Sequence, residues 1–459
     1  MGFKNYKVEL DVLASAGEEG LKKLAADENN VYIDFLELEN VAGDRRHPLC
    51  YEIGSFLEFT NKIIGENGIA QLPSYGRISG EFPPENSIYI TRSPSKTSKL
   101  KREGRIVDFP DFLKYSSEFL KSGLLDGDYD DLNNINLEKL MEVNEWDDED
   151  IFNNQYVCVN NQLVYLIKQD LKPNKEHTRY IGSGKFKLFS IDRNFENVKS
   201  KLNGFKPKNL EQLLAFNLAK RPDVEVSFIT GGSGSGKSVV AYAAALEMIL
   251  GNENQKRGKG SLKEKIIFFK PNNLLGGKMR DIGFLPGTAF EKIYPIMRSF
   301  EDAHDLCGIN QQKMPFKQML YHPQRILDSG FEIRKNHKIG LHHLPEKSNA
   351  IEIEHLQFGR GRTFVNKVIF IDEAQNYTPY EMKQLVERVG SGSKLLIVGD
   401  PEQVDGSQND LSSEFNGLLW AAKAFRNSSH PRISFMHLDQ NFRSQAAEVM
   451  RRVNAPKIY

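Results

Sequence analysis

The sequence predicts an α/β chain whose C-terminal half is a parallel β-sheet with helices on both faces. Five apolar runs point there: VEVSFIT, KIIFFK, KVIFIDE, KLLIVGD and RISFMHL, all between residues 224 and 438. Strands buried on both faces read as near-continuous apolar stretches, and parallel neighbours need a long crossover between them. Helix-length segments such as VVAYAAALEMIL fill those intervals. No internal repeat is visible.

At 459 residues the chain exceeds what one hydrophobic core usually supports, so two or three domains are expected. Composition is that of a globular protein, 39% apolar and 27% charged, which argues against long disordered stretches. Formal net charge is zero, so binding a polyanion would require local clusters of Lys and Arg. The three cysteines, Cys50, Cys158 and Cys307, are scattered and odd in number, which excludes a disulfide framework and a CxxC metal knuckle. The N-terminus MGFKNYKVELDVL is too polar for a signal peptide, and no apolar run approaches membrane-spanning length. A soluble cytoplasmic protein with no membrane partner is expected.

Three regions differ in texture. Residues 1–150 are expected to form an N-terminal α/β domain, with short mixed segments such as VYIDFLELENV, a Pro/Ser/Lys/Arg stretch at Thr91–Arg105, and acidic clusters at Asp126–Asp131 and Glu145–Asp150. Residues 151–204 hold short β-type runs broken by Asn-Asn and Gly-Ser-Gly turn signals, a small antiparallel connector. Residues 205–459 carry the parallel sheet.

The chemistry lies at the strand ends of this last region. VEVSFIT leads into Gly231, Gly232, Ser233, Gly234, Ser235, Gly236, Lys237 and Ser238, then Val239 and an Ala-rich helix. This is G-x-x-x-x-G-K-[ST] in its strand–loop–helix setting, the phosphate loop of a RecA-like P-loop NTPase. Small residues let backbone N–H groups converge on phosphate oxygens, and the helix N-terminus adds positive potential. Lys237 supplies a charge for the β- and γ-phosphates of ATP; Ser238 offers a hydroxyl to Mg2+. KVIFIDEAQ places Asp372 to hold that Mg2+ and Glu373 to orient the attacking water. KLLIVGDPEQ adds Asp400 and Gln403, the latter able to bond both the water and the γ-phosphate. In LDQNFRSQ, Arg443 is placed to act as an arginine finger. Gln212, upstream of the first strand, carries an amide suited to the adenine edge.

Taken in order, these motifs resemble the PhoH family of ATPases, which are related to superfamily-one helicases. The match covers about Phe205 to Gly406. It includes KPNNLLGGKMRDIGFLPG with its EK…P continuation, RGRT at Arg360–Thr363, and VIFIDEAQNYTPYEMKQLVERVGSGSKLLIVGDPEQVD. The resemblance implies RNA or single-stranded DNA as partner and a homo-oligomer, a hexameric ring. LDQNFRSQ is closer to the motif that opens the second motor domain of related DNA helicases, and with the chain ending at Tyr459 a full second motor is not expected. NNQLVYL and KFKLFSI resemble the connector of longer PhoH proteins that carry an N-terminal PIN nuclease. Asp11, Glu39 and Asp126–Asp131 would then be the metal-binding acids of a degenerate PIN-like domain, although solvated acids are the favoured reading of the clusters.

Lys263, Lys265, Lys270, Lys278, Arg280, Arg360 and Arg362 are the candidate phosphate-backbone contacts. An ATP-driven nucleic-acid motor or remodeller is therefore the first expectation. An ATP-gated switch on a protein partner, or an ATPase coupled to a metal-dependent RNase, stays open.

Overall fold

The computed structural model describes residues 5–8, 30–33, 69–71, 77–79, 87–90, 102–103, 105–107, 120, 123–132, 134–147, 151–173, 180–191, 205–250, 263–271, 289–307, 316–319, 350–354, 356, 362–404, 411, 413, 416–427 and 431–442. Three sheets organise them. The first takes β1 (Asn5–Val8), β2 (Asn30–Tyr32), β3 (Ile69–Gln71), β4 (Arg77–Ser79), β5 (Ile88–Ile90) and β6 (Ile106–Val107) in the order β3-β4-β2-β1-β5-β6, parallel except for β3–β4. Asp11 and Glu39 lie outside the described residues.

The second sheet runs β10-β9-β8-β7, from β7 (Leu124–Gly127), β8 (Gln155–Val159), β9 (Leu163–Pro173) and β10 (Tyr180–Ile191). Strands β8, β9 and β10 are antiparallel as expected, but β7 joins β8 in parallel at the edge, so the connector's sheet takes in chain before residue 150. Helix α1 (Leu137–Asn144) packs Leu137 and Leu140 into the same cluster as Val157, Val159 and Ile167. Asn160 and Asn161, at φ 49° and 54°, turn β8 into β9, matching the Asn-Asn signal. Gly-Ser-Gly breaks no strand: the β9–β10 register shifts between Ser183 and Lys187, so it marks an irregularity within β10. Asp126, Asp128, Asp130 and Asp131 are exposed on this unit, where solvation suffices to explain them.

The third sheet is wholly parallel, in the order β13-β12-β14-β15-β11-β16. In chain order its elements are α2 (Leu210–Lys220), β11 (Val226–Gly231), α3 (Lys237–Leu250), β12 (Ile266–Phe269), α4 (Ala289–Leu306), α5 (Phe316–Met319), β13 (Ile351–Glu354), β14 (Val368–Ile371), a 3-10 turn at Ala374–Asn376, α6 (Pro379–Val386), β15 (Lys394–Gly399), α7 (Gly417–Asn427) and β16 (Ile433–Leu438). Successive side chains of a strand point to opposite faces. Phe268, Phe370, Leu396 and Val398 accordingly pack beneath α2, α3 and α4, while Phe269, Ile369, Ile371 and Ile397 meet α6 and α7 on the other side. The run Ala243–Ala244–Ala245 in α3 is fully buried, its small side chains seating that helix against the sheet.

The connector caps the β16 edge. Asn154 Nδ2 donates to Ile433 O at 3.0 Å, Asn153 Nδ2 donates to Pro431 O at 2.5 Å, and a Cβ on Gly123 would stand 1.7 Å from Phe435 O. An open strand edge offers unpaired backbone groups, and this contact satisfies part of it. Lys168 of β9 also pairs with Asp223, which Arg221 holds through two bonds at 2.8 and 3.0 Å. Among the described residues no helix is long and apolar enough to cross a membrane.

Candidate nucleotide-binding site

Strand order brings the predicted residues together. β15 lies between β11 and β14, so the tips of the three strands that carry the motifs are neighbours at one end of the sheet. Ile371 pairs with Phe269, the last residue of β12, and with Ile397 of β15, while Thr230 pairs with Gly399, so β14 stops two residues short of β15 and Asp372 sits deep beside it. Asp372 N donates to Phe269 O at 2.9 Å, which holds that depth.

The loop Gly231–Ser238 adopts the conformation its glycines permit. Gly234 and Gly236 have φ 84° and 87°, a region costly to other residues, and a Cβ on Gly236 would meet Gln212 Nε2 at 2.6 Å. Ser238, in the first turn of α3, places Oγ 3.2 Å from Asp372 Oδ1. Lys237 Nζ rests 3.4 Å from Gly232 O. Ser235 Oγ is buried with no hydrogen-bond partner among the described residues, a polar group to spare inside the loop.

Asp372 is almost wholly buried. Burial pushes its carboxyl above the usual carboxylate range and the charge of Glu373 adds to that, while Lys270 and Lys237 oppose it. Lys270 Nζ lies 3.7 Å from Asp372 Oδ2 and donates to Ser299 Oγ of α4 at 2.7 Å. Asp372 and Ser238 thus present adjacent oxygens beside the phosphate loop, a donor pair that fits a hard divalent cation completed by phosphate oxygens and water.

Glu373 has φ 51° and ψ 43°, a left-handed backbone that favours glycine. It is held there by Gln375, which sequence reading did not single out. Gln375 is fully buried; its Nε2 donates to Glu373 Oε2 at 2.7 Å and to Gln403 O at 3.1 Å, and its Oε1 accepts from Asp400 N at 3.0 Å. One amide therefore joins the acid of the second motif to the turn of the third. Burial raises the Asp400 carboxyl, which accepts from Glu402 N at 3.0 Å. The Gln403 side chain is exposed at the tip of this turn.

Other expectations are placed differently. Gln212 does not offer its amide face to a base: it is buried under the loop, Nε2 donating to Ser235 O at 2.8 Å and Oε1 accepting from Lys208 N at 2.9 Å. Of the candidate basic contacts among the described residues, Lys270 faces Asp372 and the other three are engaged elsewhere. Lys263 and Lys265 precede β12, at the end of the sheet away from the loop; Lys263 bonds Gly392 O, and Lys265 lies 3.6 Å from Glu352. Arg362 pairs with Glu352 at 2.9 Å and with Glu354, both on β13. Lys278, Arg280, Arg360 and Arg443 lie outside the described residues.

Residues 204–454, more than half of the chain, match the family described as PhoH-like protein. The chain belongs to the PhoH-like family. Relatives in it include Protein PhoH2 of Bacillus subtilis, 32% identical over 223 residues that cover 49% of this chain and 42% of that protein. A PhoH-like protein of Synechocystis is 31% identical over 184 residues, 39% of this chain and 43% of its own. The PhoH-like protein of Bacillus subtilis is 29% identical over 244 residues, 53% of this chain and 60% of its own. The chain thus spans about half the length of these PhoH-like relatives. The solved SWI2/SNF2 ATPase core of Sulfolobus solfataricus in complex with dsDNA overlaps 53% of this chain and 46% of its own at 13% identity and a TM-score of 0.28.

Proposed function

We propose that this PhoH-like chain hydrolyses ATP and couples hydrolysis to work on RNA or single-stranded DNA. The observation that carries the ATPase reading is the 3.2 Å contact between Ser238 and Asp372, which joins a phosphate loop to a buried acid at the same end of one sheet. Backbone N–H groups of Gly232–Lys237 bind the β- and γ-phosphates, and Lys237 adds its charge. Ser238 and Asp372 hold Mg2+, which when bound offsets charge on the phosphate oxygens. Glu373, fixed by Gln375, accepts a proton from the attacking water and aligns it with the γ-phosphorus. Gln403, on the turn tied to the same amide, bonds the water or the γ-phosphate and carries the nucleotide state outward; Arg443 spreads transition-state charge.

The nucleic-acid part rests on family membership. The internal ion pairs of Lys265 and Arg362 favour keeping a second reading, a nucleotide-gated switch on a protein partner. ATP turnover with and without RNA or single-stranded DNA separates the two. Several-fold stimulation that fades with added salt supports the motor reading; unstimulated turnover supports the switch. No turnover under either condition refutes both.

A further inference from the structure

An anion cradle imposes a second demand besides inward N–H groups. Each peptide that turns its N–H toward phosphate turns its carbonyl away, and those carbonyls need donors or the peptides can flip and face the anion with oxygen. Here the donors come from outside the loop. Gln212 Nε2 serves Ser235 O at 2.8 Å, and the backbone N–H of Phe442 serves Gly234 O at 3.0 Å.

Both donors trace back to the first turn of α2. Asn209 caps that helix by accepting from Gln212 N at 2.9 Å, which sets the Gln212 side chain. Phe442 lies beyond β16, on a short extended segment with no sheet partner of its own. What holds it is Glu211. Glu211 Oε2 accepts from Asp439 N at 2.9 Å, the same carboxylate takes a bond from the Gln440 backbone, and Asn209 Nδ2 steadies it at 3.2 Å. Lys208 Nζ lies 5.2 Å from the Phe442 ring centroid, a further tie between the same two segments. His437 reinforces the approach from the strand side, bonded to Thr230 Oγ1 at 2.9 Å and close to Asp439 Oδ1 at 3.2 Å.

We propose that Glu211 is a positioning residue for phosphate binding: it fastens residues 439–442 so that Phe442 keeps the Gly234 carbonyl turned out of the cradle. Glu211 does not touch the nucleotide. It acts through Phe442 and Gly234, in parallel with Gln212 acting on Ser235. The inference rests on reading Gly231–Ser238 as a nucleotide loop. It adds that the loop's shape is imposed by two chain segments far from it in sequence.

The test compares wild type, Glu211→Ala and Glu211→Gln by ADP binding, by hydrogen exchange of backbone amides at 234–236 and 439–442, and by thermal unfolding. Glu211→Ala is expected to weaken ADP about ten-fold, the scale of one lost charge-assisted hydrogen bond, and to speed exchange at Phe442. Gln keeps an oxygen acceptor, so Glu211→Gln is expected to stay within about three-fold of wild type. Unchanged ADP affinity and unchanged exchange at Phe442 in Glu211→Ala overturn the proposal. So does an equal loss in both variants with a collapsed unfolding midpoint, which would make Glu211 a general fold residue. If wild type itself binds no ADP, the nucleotide reading fails. The brace then stands or falls on whether Glu211→Ala speeds exchange at 442 and 234–236.

Discussion

Replacing Gln375 with alanine removes a side chain that touches both Glu373 and the Asp400–Gln403 turn. In the native protein its amide makes three hydrogen bonds and is fully buried, with the Gly399 backbone so close that a Cβ there would stand 2.5 Å from Oε1. Truncation leaves the Asp400 N–H and the Gln403 carbonyl without their partner. At about 1–3 kcal/mol for each of these two groups, the fold should lose about 2–6 kcal/mol, nearer the lower end because Gln403 is partly solvated. Glu373 meanwhile loses the bond that fixes its carboxylate. Misplacing a base by about 1 Å costs about 100-fold in turnover. The isosteric Gln375→Glu keeps the acceptor for Asp400 N–H but replaces the donor to Glu373 with a second carboxylate, whose repulsion pushes the Glu373 carboxylate out of position. Denaturant unfolding and steady-state ATP turnover read the two effects separately. Alanine should lower both, and Glu should lower turnover more than stability. If Gln375→Ala unfolds at the wild-type midpoint and turns over ATP at the wild-type rate, the bridge has no consequence and the reasoning fails.

Three further outcomes follow from the same structure. Lys394, buried at the start of β15, donates to Leu218 O, Arg221 O and Val224 O at 3.4, 3.3 and 2.6 Å; Leu218 O and Arg221 O also accept from the backbone N–H groups of Arg221 and Val224, so Lys394→Met chiefly strands Val224 O and should cost about 1–3 kcal/mol in denaturant unfolding. Lys270 opposes the burial that raises the Asp372 carboxyl, so Lys270→Met should raise it further and move the acid limb of the turnover–pH profile to higher pH; a limb that stays put contradicts the pairing. Burial alone would raise the Asp223 carboxyl, but Arg221 and Lys168 outweigh it and hold it well below the usual range. Its contribution is therefore full above about pH 4, its unfolded value, and is lost as pH falls through the depressed native value. The unfolding midpoints of wild type and Asp223→Asn should converge in acid.

The parts legible in the sequence were those that depend on local pattern. Apolar runs such as VIFI and KLLIVG announce strands covered on both faces, and the glycine loop is readable because its conformation needs residues without Cβ. Strand β13 was missed because IEIE alternates: at the edge of the sheet one face carries Ile351 and Ile353 against the core, while Glu352 and Glu354 on the other pair with Lys265 and Arg362. That pairing also ties down two of the basic residues, Lys265 and Arg362, that the sequence offers as phosphate contacts. Partners 10 and 87 positions apart consume the charge, and sequence distance hides them. Gln375 escaped for a related reason. A glutamine after two acids has no pattern of its own, and its role exists only where the β14 and β15 tips meet. Gln212 was noticed, but its partner was misjudged, because nothing in the chain announces that Gly236 leaves room for its amide.

The most direct measurement is equilibrium binding of Mg-ATP to the Glu373→Gln and Lys237→Ala variants, paired with their turnover. The account predicts that Glu373→Gln retains nucleotide at near wild-type affinity with turnover abolished, and that Lys237→Ala loses both. A Glu373→Gln variant that hydrolyses ATP at the wild-type rate, or a Lys237→Ala variant that binds it undiminished, would contradict a single site built from the phosphate loop and the β14 acids.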